Sequence, residues 1–302
     1  MKRLLHILFI LFLSIGTNAE KIALIIGIGQ YDSQAGWDVI NGDNDIPLIR
    51  EVLVTNGFNK EKIKTLCNEE ATCKNIRSEL NQLTKAAKTG DTIFLHFSGH
   101  GQLITDMNGD ETDGFDETWV PYDAPICPSP EYHGERHLVD DELNHYLNAI
   151  QNKIGKQGKI IVVSDACHSG TGTRASMEMG IRGTSAKFVI DNYTTEQLRN
   201  YGYCQYALST SKASSEKWIH IGACASQECN RQYKGGASCS TIAVPCGSLT
   251  YALFSLRNQF SVLTCDEIQK ILVNMLKDKK IVSRPQTPQV ESPTYYREKP
   301  LL

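Results

Sequence analysis

The sequence predicts an α/β fold with a mostly parallel central sheet and helices on both of its faces. Three observations carry that expectation. Aliphatic runs at 21–28 and 160–163, and the strand-like stretch 91–97, end abruptly in small residues, as strands covered on both faces do. Between them lie segments whose apolar residues recur at helical spacing. Strand and helix alternate along the first 170 residues, the pattern of parallel strands joined by crossover helices. At 302 residues and 41% hydrophobic content, the chain can bury a substantial core.

Residues 1–19 read as a secretory signal peptide, with Lys2 and Arg3 before an apolar run and Thr17, Asn18 and Ala19 at a cleavage point. The apolar run of about 12 residues is shorter than the roughly 20 a spanning helix needs, so no membrane insertion is expected after its removal. Residues 20–302 are expected to form one domain. The whole chain's formal charge is -3, or -5 without Lys2 and Arg3, which gives no electrostatic reason to expect nucleic acid as a partner. Ten cysteines in an exported chain favour disulfides. Cys67 and Cys73 flank a segment short enough for a bridge to close, and Cys224, Cys229, Cys239 and Cys246 are expected to form two more, in open pairing.

In chain order, 21–28 is the first strand. Asn44, Asp45 and Pro47 open a helix as capping and early-turn residues, with Ile46, Ile49 and Leu53 as its apolar face. A strand at 63–66 and a helix at 75–87 follow, then the strand 91–97, which runs into Ser98, Gly99, His100 and Gly101. An acidic excursion spans 102–136, with a strand at 118–122. Leu143, Tyr146, Leu147, Ile150 and Ile154 mark a helix with Asp140 and Asp141 at its amino end, where the dipole favours carboxylates. The strand 160–163 then delivers Ser164, Asp165, Ala166, Cys167 and His168. Beyond it, 203–208 reads as a strand, 248–257 and 265–277 as helices, and 286–290 as an edge strand.

His100 and Cys167 each follow the end of a predicted parallel strand, so both project over the edge of the sheet where α/β folds bind ligands. A cysteine nucleophile needs a base to populate its thiolate. It also needs backbone N–H groups aimed at the developing oxyanion, and the N–H groups of Gly101 and Cys167 are candidates. His168 is a competing base by adjacency.

Ser98 to Gly101 together with Asp165 to Gly170 resemble the paired signature of metacaspases, the caspase-like cysteine peptidases found outside animals. The stretches 113–117 and 120–123, Asn44 and Asp45, 247–253 and 286–289 resemble that family too. The resemblance implies a caspase-like sandwich, with a large-subunit-like part over about 20–180 and a small-subunit-like part over about 185–302. It implies a monomer with His100 as base, Cys167 as nucleophile and an acyl-enzyme released by water. It also places Asp45, Ser98 and Asp165 in the pocket for the residue before the scissile bond. Two carboxylates in one pocket repel unless a cation lies between them, so protein or peptide substrates with Arg or Lys at that position are expected. From position alone, Asp45 reads equally as a helix cap and Asp165 as a turn residue.

Calcium is the one cofactor the resemblance implies, with Asp116, Asp140 and Asp141 at the family's ligand positions, but Arg174 stands at the fourth. A rival local set, Asp106, Asn108, Asp110 and Glu117, has EF-hand-like spacing except that Glu111 replaces the expected Gly. Arg174, Arg182 and Lys187 lie in a loose segment where self-cleavage is expected. The reading from sequence is therefore an exported, self-processing cysteine endopeptidase. The alternative is a non-catalytic caspase-like binding or regulatory domain.

Overall fold

In the computed structural model, residues 19–168, 180–208, 217–226, 228–233, 242 and 244–302 are described. The expected signal peptide, Arg174 and Cys239 lie outside them, apart from Ala19. The centre is a six-stranded sheet in the order β11-β8-β7-β3-β1-β2. Its strands are β1 (Lys21–Gly27), β2 (Ile63–Cys67), β3 (Thr92–Ser98), β7 (Lys159–Asp165), β8 (Ile219–Gly222) and β11 (Gln289–Glu291). All pair in parallel except β11, which runs antiparallel at the edge beside β8. Helices α1 (Asp45–Thr55), α5 (Ser248–Ser255) and α6 (Cys265–Met275) pack Ile49, Leu53, Leu249, Leu253, Ile268 and Leu272 on one face. Helices α2 (Cys73–Ala86) and α3 (Asp140–Ile154) pack Ile76, Leu80, Leu147 and Ile150 on the other. The two-sided cover explains why β7 reads as a continuous apolar run, and β3 as one interrupted by the buried His96.

Five further strands among the described residues lie off the sheet: β4 (Gly101–Thr105), β5 (Phe115–Trp119) and β6 (Leu138–Val139) form an antiparallel trio, and β9 (Gln232–Tyr233) pairs with β10 (Cys246–Gly247). The expected strand at 118–122 is displaced to 115–119, because pairing with β4 begins at Trp119 opposite Gly101 and Pro121 has no N–H to continue a ladder. The expected strand at 203–208 is absent. Helix α4 (Thr195–Tyr201) ends at a left-handed Gly202, and the apolar residues after it, Tyr203 and Ala207, fill a satellite core with Phe188 and Tyr132. The strand beside β7 is β8.

Two other expectations are corrected. Asn44 makes no side-chain cap to α1; its amide donates to the Pro245 carbonyl, and the Asp45 carboxylate turns into the protein. Cys67 and Cys73 are separate thiols. They face different surroundings, Cys67 toward Asp43 and Glu70 and Cys73 toward Arg77 and Glu142. Cys224 and Cys246 also carry free thiols. Among the described residues, no helix is long and apolar enough to cross a membrane.

Candidate active site

Parallel register builds the site. Ser98 at the end of β3 pairs with Asp165 at the end of β7. His100 and Cys167 each lie two residues beyond that pair, so the sheet carries both past the same edge. His100 is buried at 3% exposure, its ring stacked on Trp37 at 4.9 Å and tilted against Tyr31 at 5.2 Å. Its Nε2 lies 2.9 Å from the Asp38 carbonyl, which fixes a tautomer with Nε2–H donating. That leaves Nδ1, which has no partner among the described residues, as a proton acceptor. Burial, only partly opposed by the Asp38 carbonyl, lowers the His100 pKa to about 4. The imidazole is therefore neutral near pH 7, as a base must be.

Cys167 is 3% exposed. The Cys224 thiol hydrogen-bonded to it, then the Asn230 backbone and the charges of His168 and Arg231, outweigh burial and hold its pKa below the usual thiol value. His168, the rival base, pairs with Glu117 at 3.2 Å. Burial disfavours its cation, but Glu117 more than offsets this and raises the His168 pKa. The Glu117 carboxyl falls to about 2, chiefly through the same ion pair. The Glu117 carboxylate thus favours the charged form of His168, and a positive charge there favours the Cys167 thiolate.

Asp45, Ser98 and Asp165 come together as fully buried walls of one pocket, and the chain's own Arg182 fills it. Arg182 Nη1 donates to Asp45 Oδ2 at 2.6 Å and to Ser98 Oγ, and lies 3.5 Å from Asp165 Oδ1. Ser98 Oγ also donates to Asp45 at 2.5 Å. Thr250 Oγ1 and Asn230 Nδ2 donate to Asp165 at 2.7 and 2.8 Å, and the Gly247 N–H to Asp45 at 2.8 Å. Burial and the neighbouring Asp165 raise the Asp45 pKa, and the Arg182 guanidinium opposes them.

The backbone of Arg182 is held as closely. Its carbonyl accepts from the Cys167 N–H at 2.8 Å and the Gly101 N–H at 3.4 Å. Its N–H donates to the Asn230 carbonyl at 3.0 Å, and the Gln232 N–H donates to the Gly180 carbonyl at 3.0 Å. Ile181 bridges Arg231 in antiparallel fashion, and on the other side Gly183 and Phe188 bridge Gly101 and Ile104 in parallel. The segment 180–190 thus crosses the site as an extended strand. A Cβ on Gly183 would lie 2.5 Å from Cys167 Sγ, so only glycine fits beside the thiol. The expectation of a loose segment is corrected here: Arg182 is 0% exposed.

Sequence reasoning missed Asn230, Thr250 and Gly247 as pocket residues. Gln286 accepts from the Arg231 N–H at 3.0 Å and so positions the strand that pairs with Ile181. Gly247, Thr250 and Gln286 lie in stretches that resemble the family, but their place at the pocket, like that of Asn230, emerges only when the fold brings them against Asp45, Asp165 and Arg231.

A second cluster lies beyond β4 and β5. Carboxylate oxygens of Asp106, Asp110 and Asp116 lie within 4.8 Å of one another. Asp116 is 1% exposed, and neither of its oxygens has a hydrogen-bond partner among the described residues. Burial and then Asp140 raise its pKa to about 8. Asp140 and Asp141 flank this trio, with pKa values raised by burial to about 7 and about 6. The two candidate sets are merged by the fold: Asp116 joins the loop residues Asp106 and Asp110. Glu117 leaves the rival set because successive strand residues face opposite ways, and it pairs with His168.

A family model described as metacaspase, peptidase C14 domain matches residues 21–175. The chain is 35% identical over 157 residues to metacaspase-6 of Arabidopsis thaliana, covering 50% of this chain and 38% of that protein. It is 24% identical over 309 residues to metacaspase-1 of Mycosarcoma maydis, covering 91% and 71%. It spans 33–38% of the length of the first three curated relatives it matches. Among solved structures, a Geobacter sulfurreducens protein aligns with TM-score 0.63 at 22% identity, covering 93% of this chain and 98% of that one. Caspase-1 of Spodoptera frugiperda aligns with TM-score 0.55 at 11% identity, covering 91% and 86%. These structural matches bear on the fold, which is caspase-like.

Proposed function

As the chain belongs to the metacaspase family, peptidase C14, we propose that it is an exported, monomeric cysteine endopeptidase that cleaves after Arg or Lys and first cuts its own Arg182–Gly183 bond. One observation carries the reading: Arg182 lies with its guanidinium between two carboxylates and its carbonyl oxygen on the N–H groups of Cys167 and Gly101. This is how a scissile bond is held for attack, with donors on the oxygen that becomes the oxyanion and the thiol against the following glycine.

His100 Nδ1 takes the Cys167 proton, and Sγ adds to the Arg182 carbonyl. The two N–H groups hold the oxyanion as it forms. On collapse, His100 returns the proton to the Gly183 nitrogen, leaving Arg182 as a thioester on Cys167. Water, deprotonated by His100, releases it. Only Nη1 of the guanidinium meets the pocket walls, while Nε and Nη2 have no partner among the described residues. A Lys ammonium supplies the same single contact, so both basic residues are accepted.

Calcium fits the acidic trio. The donors are all oxygens, as the cation requires, and the buried unpartnered oxygens of Asp116 leave it a place. Asp106, Asp110 and Asp116 would hold it, with Asp140 and Asp141 adjacent, and its charge would relieve their mutual repulsion. Export is supported by the basic-then-apolar leader.

Fluorogenic peptides ending in Arg, Lys or Asp, incubated with and without calcium, test the reading. Release after Arg and Lys but not Asp, lost in Cys167→Ala, is expected. Absence of release from every peptide by wild type overturns it.

A further inference from the structure

We propose that this site also remakes the bond it cuts, so that the Arg182–Gly183 junction interconverts between nicked and sealed forms. The proposal rests on the reading of that junction as the self-cleavage bond. The structure holds both sides of it by contacts that cleavage does not touch. On the amino side, the Arg182 guanidinium lies between Asp45 and Ser98, and the Arg182 N–H is bonded to Asn230. On the carboxyl side, Gln102 Nε2 donates to the Ala186 carbonyl at 2.9 Å. The Phe188 N–H donates to Leu103 at 2.8 Å, and the Phe188 carbonyl accepts from the Thr105 N–H at 3.0 Å. The Phe188 ring is 0% exposed, edge-on to Tyr132 with centroids 5.5 Å apart. Ile190 is anchored through Thr105 Oγ1 at 2.9 Å.

Peptide hydrolysis draws much of its driving force from letting the two products separate. Here they stay in place. An amine kept next to a thioester acts at an effective concentration far above that of a free amine, and it competes with water for the acyl-enzyme. Resealing needs no further reactant. The Arg182 carboxyl group condenses with the Cys167 thiol to the thioester and releases one water. The Gly183 amine then attacks the thioester carbon, the C–S bond breaks, and the amine proton passes through His100 to the sulfur. Carboxylate and ammonium become amide and water, with no change in oxidation state.

The experiment follows heavy oxygen. Wild-type protein is incubated in water enriched in the heavy oxygen isotope, and the peptide spanning Arg182–Gly183 is recovered by digestion with a protease that does not cut there. Resealed chains carry a heavy oxygen in the Arg182 carbonyl, so this peptide becomes about 2 Da heavier. Phe188→Ala, with Ile190→Ala as the milder variant, still nicks but labels the spanning peptide about tenfold less or lower. Fragments ending at Arg182 without label in the spanning peptide overturn resealing and leave self-cleavage standing. The absence of both fragment and label overturns both. Equal label in Cys167→Ala, or in both anchor variants and wild type, also overturns the proposal.

Discussion

Replacing Arg182 by Gln removes the cation from between two fully buried carboxylates, and two effects of opposite sign follow. Arg182 Nη1 lies 2.6 Å from Asp45 and 3.5 Å from Asp165. Deleting one partner of a buried ion pair costs about 3–5 kcal/mol, because it leaves charge uncompensated in a dry site. At about 2–4 °C per kcal/mol for a domain of this size, the melting temperature falls by about 6–20 °C. The pocket is also vacated. In the intact wild type, a peptide must displace a side chain tethered at an effective concentration of about millimolar or more. Arg182→Gln therefore hydrolyses Arg peptides without any prior nick, and benzamidine, a guanidinium mimic, restores about 2.7 kcal/mol of stability at a hundredfold excess over its Kd. Calorimetry with and without benzamidine, a fluorogenic Arg peptide and gel electrophoresis read all three. An unchanged melting temperature, or continued nicking at the same junction, refutes the reasoning.

The remaining predictions use the same geometry. Gly183→Val places branched carbons against Cys167 Sγ and its carbonyl, and it slows self-cleavage by about a hundredfold or more; timed gels read this, and wild-type kinetics contradict it. Self-cleavage keeps its rate on acidification until the buried His100 itself takes a proton. With its pKa lowered to about 4, base function is present above that value and lost as pH falls through it. An acid limb centred at the ordinary histidine value of about 6.5 contradicts this. Glu117→Gln removes the partner that raises the His168 pKa, so His168 loses charge and the Cys167 thiolate loses a stabilising neighbour. Alkylation of Arg182→Gln protein by iodoacetamide, followed against pH, shifts to higher pH when Glu117→Gln is added; an unshifted profile contradicts the ion pair's role.

The parallel sheet was legible because β1, β3 and β7 are buried on both faces and almost wholly apolar between their ends, the buried His96 of β3 being the exception. His100 and Cys167 were legible for a related reason: each directly follows such a run. The register Ser98 opposite Asp165 is the physical fact that makes two strand ends one site. What could not be read was tertiary. Tyr203 and Ala207 look like strand residues because they are apolar, yet they plug a satellite core. Arg182 looks like a loop cation, and nothing local says that it faces Asp45 across 137 positions of chain. The oxygen cluster was split between two candidate sets because Asp106 and Asp110 meet Asp116 only once β4 and β5 fold back on each other. The cysteines misled for a chemical reason: burial makes a thiol an ordinary small apolar side chain, and spacing does not reveal which way it faces.

If Arg182–Gly183 lies in the site as a substrate, intact-mass and amino-terminal sequencing of wild-type protein incubated with calcium, beside Cys167→Ala, show a new chain beginning at Gly183 in wild type and a single uncut species in Cys167→Ala. A cut that begins elsewhere, or the same cut in Cys167→Ala, contradicts it.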